Sequence, residues 1–195
     1  MADPTNGKHV YIVHGYGATP ANHWFRWLQE RLAADGITAD ILEMPAPLSP
    51  NLQEWLKHLS SKAAVLNQDT YFVAHSLGCV SLLKYLLNAK PQEPLGGLVL
   101  VSGFTKPLPD LPMLDEFTKE QTDYSGAAAL APRRAVIASR DDDIVPAALS
   151  KELAQVIHAD FYEVEHGGHF LDSDGFTTLP IAYDVLRDMI VQTNE

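Results

Sequence analysis

Residues 70–87 read TYFVAHSLGCVSLLKYLL. Two periodicities meet in this stretch without a linker. Residues 70–74 form a short apolar run rich in aromatic and β-branched side chains, the composition of a strand covered on both faces. From Leu77 to Asn88 the apolar residues recur at helical spacing. Only His75 and Ser76 lie between. A strand that turns directly into a helix holds the corner residue in a strained conformation and pushes its side chain outward. Strand and helix come close there, so the positions two residues either side of Ser76 must be small. They are Ala74 and Gly78. The helix also aims its first N–H groups at the corner, where they suit developing negative charge. AHSLG thus reads as a nucleophile elbow; a simple N-cap serine is the alternative.

The same alternation runs along the chain. Apolar runs at 9–13, 38–42, 97–101, 134–139 and 160–164 predict five more strands. Helical patterns fill 21–34, 51–66, 147–157 and 179–192, in addition to 77–88. Alternating strands and helices imply a mostly parallel, doubly wound sheet of about six strands with helices on both faces. No internal repeat or low-complexity linker interrupts the pattern, so residues 1–195 read as a single domain. The one irregular segment, 104–126, mixes acids with Pro107, Pro109 and Pro112 and predicts a loop or short-helix excursion.

Composition narrows the function classes. A chain of 195 residues with 46% hydrophobic and 20% charged residues is ordinary for a globular protein with one sizeable core. A formal net charge of −11 argues against nucleic acid and against an anionic membrane surface. The single cysteine, Cys79, excludes an intramolecular disulfide and fits a reducing compartment. The first residues lack the basic start and apolar stretch of a signal peptide, so the expected location is cytoplasmic.

A nucleophilic serine needs a base to take its proton and an acid to orient that base. Both arrive later in the chain, each at a strand end: RDDDIVP after the run AVIAS, and EHGGHF after FYEV. Asp141, Asp142 and Asp143 compete for the acid, His166 and His169 for the base. The three acids lack the alternating spacing and terminal Glu of a calcium loop. A metal site from His14, His75, His166 and His169 has no recognised zinc spacing to support it. His75 reads as packing or support, His14 as shaping the first loop, and His9, His23, His58 and His158 as ordinary.

With VHGYGATPANHW near the start, AHSLG in the middle, and ASRDDDIVP and GGHF toward the end, the chain resembles the retinoblastoma-binding protein 9 and YdeN-like group of small serine hydrolases. The resemblance covers essentially the whole chain. It implies an α/β-hydrolase fold without a large cap domain and, for function, cleavage of an ester, thioester or amide through an acyl-enzyme on Ser76. The family pattern D-x-x-x-P selects Asp142 against Pro146, leaving Asp141 and Asp143 solvated or capping the next helix. It also selects His169, whose preceding glycines let the loop bend the imidazole back toward the serine. The backbone N–H groups of Leu77 and Tyr16 become the oxyanion hole. Trp24, Phe104 and Phe170 are placed in the substrate pocket. The apolar residues of 104–126 either form an acyl pocket or short lid, or simply cover the core. A small-molecule acyl substrate is implied and no cofactor. The protein partner that gives the group part of its name is not carried over, because the L-x-C-x-E motif it is linked to is missing here. A binding module that kept the three residues but lost turnover is the rival reading.

Overall fold

The computed structural model describes residues 5–192. Six strands, β1 (His9–Val13), β2 (Thr38–Leu42), β3 (Thr70–His75), β4 (Gly97–Val101), β5 (Arg134–Ser139) and β6 (Asp160–Val164), form one sheet in the order β2-β1-β3-β4-β5-β6. Every neighbouring pair is parallel. The predicted bounds hold except that β3 runs one residue further, because His75 still pairs with Val101.

Alternate residues of the central strands feed two cores. Tyr11, Val13, Phe72, Ala74, Leu98 and Leu100 point to one side, and Val10, Ile12, Tyr71, Val73, Val99 and Val101 to the other. The first side is covered by α2 (Leu52–Lys62), α3 (Leu77–Ala89) and α6 (Ala147–Val156), the second by α1 (Phe25–Ala34) and α7 (Pro180–Gln192). Only the inner strands are apolar on both faces. The edge strands β2 and β6 expose Asp40, Tyr162 and Glu163, which corrects the expectation of full cover for all six. The segment between β4 and β5 contains two short helices, α4 (Asp115–Thr118) within the expected excursion and α5 (Ala127–Leu130) just after it, with 3₁₀ turns beside them.

Two helices are shorter than their apolar pattern. The first begins at Phe25 rather than near residue 21, since Asn22 Oδ1 accepts the Thr19 amide and hydroxyl (2.8 and 2.9 Å) and His23 adopts φ of 54°. The second is capped by Asn51, whose side chain accepts the Glu54 amide, and ends at Lys62 instead of 66. Beyond it, Asn67 Oδ1 takes the Asp69 amide and the Thr70 hydroxyl (2.9 and 3.2 Å), and that turn delivers the chain into β3.

The strand order places a site. From β1 the chain steps out to β2, then crosses back over β1 to build β3, β4, β5 and β6 the other way. Right-handed crossovers therefore put α1 and α2 on opposite faces. At such a reversal a crevice opens beyond the carboxyl ends of the strands, here those of β1 and β3.

Candidate active site

Ser76 stands at that crevice. Its backbone has φ 54° and ψ −122°, a conformation that costs a non-glycine residue on the order of 1–3 kcal/mol. The corner is held by the Ser76 amide, which donates to the Val101 carbonyl, and by the Cys79 amide, which donates to the Ser76 carbonyl (2.9 Å each). Small residues are needed where expected. A Cβ on Gly78 would sit 2.6 Å from the Val13 carbonyl oxygen and 2.7 Å from that of His14. A Cβ on Gly15, in the loop after β1, would lie 3.0 Å from the Ser76 Cβ. The β1 loop thus lies directly against the elbow. Neither the Tyr16 nor the Leu77 amide donates to another group among the described residues.

Ser76, His169 and Asp142 form a continuous hydrogen-bonded chain, all three nearly buried. Ser76 Oγ lies 2.9 Å from His169 Nε2, and His169 Nδ1 lies 2.8 Å from Asp142 Oδ2. An ionised carboxylate only accepts, so Nδ1 carries the proton and Nε2 is free to accept from the serine hydroxyl. Asp142 Oδ1 takes the Ile144 and Val145 amides (2.9 and 2.8 Å), and Oδ2 also takes the Ser102 hydroxyl at 3.0 Å. His166 is exposed on the far side of its loop, with Nδ1 3.3 Å from Asp141 Oδ2.

Several residues that position this chain have no motif of their own. Asp141 is exposed, as expected for it, and does not cap α6; its carboxyl is nonetheless engaged, Oδ1 accepting the Ser139 hydroxyl (2.6 Å) and the Gly167 and Gly168 amides (2.9 Å each). These donors hold its carboxyl well below the usual carboxylate range. Asp174 Oδ2 accepts the His169 and Leu171 amides (3.0 and 3.2 Å). His75 donates from Nε2 to the His169 carbonyl at 2.8 Å, and its ring lies 4.9 Å from the His169 ring. Burial first, then His169 nearby, push the His75 pKa well below the ordinary imidazole value, so the ring is neutral. His14 bridges the Gly15 carbonyl and the Met44 amide (2.9 and 3.0 Å) beneath the β1 loop. Some of these contacts join segments distant in sequence, Asp141 to Gly167 and His14 to Met44 among them, and spacing alone does not single those out.

Ser76 and His169 open into a cleft of about 280 Å³ lined by Tyr16, Asp110, Leu111, Leu114, Asp143, Ile144 and Leu171. Trp24, Phe104 and Phe170 are not among its walls, and their assignment to the pocket is corrected. Trp24 is fully buried behind the elbow, its ring 5.8 Å from that of His75. Phe170 follows His169 with φ of 56°, which turns its ring the opposite way, into the α1–α7 core against Phe176. Phe104 is buried in the core on the other side of the sheet. Within the excursion, Leu111 and Leu114 line the cleft, while Leu108 and Phe117 lie in the core.

Among the described residues, no group of three or more His, Cys, Asp or Glu side chains is placed to hold a metal ion. No helix there is long and apolar enough to cross a membrane.

The serine hydrolase family profile matches residues 10–188. YdeN of Bacillus subtilis (strain 168) is 57% identical over 179 residues, which cover 92% of this chain and 94% of that protein. The crystal structure of the B. subtilis ydeN gene product matches with a TM-score of 0.92 at 56% identity, over 93% of this chain and 98% of that one. At 14% identity, Est1E from Butyrivibrio proteoclasticus shares the fold with a TM-score of 0.72, over 96% of this chain and 90% of that one. A profile match over nearly the whole described chain, with so similar a relative beside it, decides the matter: the chain belongs to the serine hydrolase family and has the α/β-hydrolase fold.

Proposed function

We propose that this hydrolase cleaves an ester-like bond of a small acyl substrate through an acyl-enzyme on Ser76. The observation that carries the reading is the chain from Ser76 Oγ through His169 to Asp142, at 2.9 and 2.8 Å, opening into a mainly apolar cleft. His169 Nε2 takes the Ser76 proton as Oγ attacks the carbonyl carbon. The oxygen becomes negative within reach of the Leu77 and Tyr16 amides, each such donor being worth about 2.7–4 kcal/mol in comparable enzymes. Collapse breaks the bond to the leaving group, which receives the proton from His169. Water then attacks the acyl carbonyl, gives its proton to His169, and releases the acid as Ser76 regains its hydrogen. Asp142 keeps the imidazole in the tautomer this sequence requires. The cleft suits a compact apolar acyl or alcohol group lying against Leu111, Leu114, Ile144 and Leu171.

Turnover of a p-nitrophenyl ester series by wild type and Ser76→Ala tests this reading. The variant should lose activity by about 10⁶-fold in kcat, as for removal of the nucleophile in a comparable enzyme, while its circular dichroism is unchanged. Near-normal turnover by folded Ser76→Ala would refute it, and no turnover by folded wild type would favour a binding module.

A further inference from the structure

We infer that Ser102 is a positioning residue for the reaction, fixing Asp142 and limiting how strongly that carboxylate holds the His169 proton. The inference rests on the proposed roles of Ser76, His169 and Asp142 and extends them to a fourth side chain.

Ser102 follows β4, completely buried, with φ of 49°. That left-handed conformation favours glycine, so a serine there is retained at some cost in stability. Its hydroxyl donates to Asp142 Oδ2 at 3.0 Å, the same oxygen that receives His169 Nδ1 at 2.8 Å. Its backbone leaves the hydroxyl little freedom. The Ser102 amide donates to the Ile137 carbonyl at 2.8 Å, continuing the sheet into β5. The neighbouring Gly103 is seated on Cys79 and Leu153, and its carbonyl accepts the Ser150 hydroxyl of α6 at 2.7 Å. One residue earlier, the Val101 carbonyl accepts the Ser76 amide. The end of β4 therefore holds the backbone of the nucleophile and the side chain of the acid together.

The chemistry follows from the count of donors. Asp142 receives four: two amides on Oδ1, and His169 and Ser102 on Oδ2. Each donor disperses part of the negative charge. Without the Ser102 hydroxyl, more of that charge faces His169 Nδ1–H, imidazolium is stabilised, and the base loses its proton only at higher pH. The carboxylate is also freer to rotate, which loosens the ring it orients. The other titratable groups around His169 stay in place: the neutral ring of His75, His23 with Asp172, Asp174 on the His169 amide, Asp141 on the loop glycines, and Asp110 and Asp143 in the cleft.

Ser102→Gly and Ser102→Ala test the inference together. Glycine suits the backbone, so that variant keeps its fold, and alanine retains the Cβ. In both, the acid limb of kcat/KM for a p-nitrophenyl ester should move to higher pH by about half a unit, roughly a threefold change in proton affinity. The plateau should fall about tenfold. The His169 ring titration, followed by nitrogen NMR and assigned with His169→Gln, should move by the same amount. That titration is read whether or not the protein turns over ester, so an inactive wild type would sink the hydrolase reading while the NMR result still decides the role of Ser102. An unmoved titration in folded Ser102→Gly and Ser102→Ala overturns the inference, even if the plateau falls, because a structural residue alone would give that result.

Discussion

Asp142 differs from the acids on either side of it by where its oxygens go. Four donors converge on it, His169 among them, whereas Asp143 lines the cleft and Asp141 holds the histidine loop. Asp142→Asn keeps the shape but removes the charge and offers His169 an amide that favours the wrong tautomer. Its kcat should fall by about 10⁴, as for the orienting aspartate of a comparable enzyme. Asp143→Asn should cost less than about tenfold, the usual range for a change that touches no reacting atom directly. Steady-state kinetics on one p-nitrophenyl ester separates them, and a crippled Asp143→Asn with a healthy Asp142→Asn would reverse the assignment. The elbow leaves its mark in the small residues around Ser76, and the histidine loop in the paired glycines before His169. Asp142 is singled out from its neighbours only by the resemblance, through the family pattern that sets Pro146 four residues after it. Ser102 and Asp174 leave none: Ser102 acts through one hydrogen bond between distant loops, and Asp174 through two local bonds to backbone amides that carry no motif. The aromatic assignments failed for a related reason. Trp24 and Phe170 sit inside motifs, but adjacent residues on a tight loop point opposite ways, and these two point into the core.

The loops after β5 and β6 act as one element because Asp141 joins them. Its carboxyl is held well below the usual carboxylate range by Ser139, Gly167 and Gly168, so it is depressed in the folded state. The stability from that contact is therefore fully present above the unfolded carboxylate pKa of about 3.9 and is lost as pH falls below it. Thermal melts between pH 5 and 3 should show wild type losing Tm more steeply than Asp141→Asn, which carries no charge to neutralise. Parallel curves would show that the contact does not stabilise the fold. The elbow makes a second test. Gly78→Ala sets a Cβ against the carbonyls of Val13 and His14, and overpacking of this kind costs about 1–3 kcal/mol. The expected loss of several degrees in Tm should come with reduced turnover, since the same shift moves the β1 loop from the Leu77 amide. At this scale strands were the most legible, because the inner four carry apolar residues on both faces. Helix ends were less so. Asn22 and Asn67 end the helical pattern through side-chain hydrogen bonds that apolar spacing does not register.

Across the whole molecule, four histidines, His14, His23, His58 and His75, are held below the ordinary imidazole pKa, with burial the first cause for each. The unfolded chain binds protons at these positions near pH 6.5, where the folded chain resists them. Stability is therefore greatest above about pH 6.5 and declines as pH falls toward the folded values. Denaturant midpoints from pH 8 to 5 should fall on acidification, with a weaker slope in His75→Asn if that variant folds. A midpoint flat over this range would contradict the lowered pKa of these rings. The two cores, the reversal at β1 and the loops at the carboxyl ends all converge on Ser76, so its reactivity is the property to measure. A fluorophosphonate probe followed by peptide mapping reads it directly. The account predicts one adduct per chain, on Ser76, absent from Ser76→Ala and much slower to form in His169→Gln. Folded protein that takes no adduct, or takes it on another serine, would contradict the account.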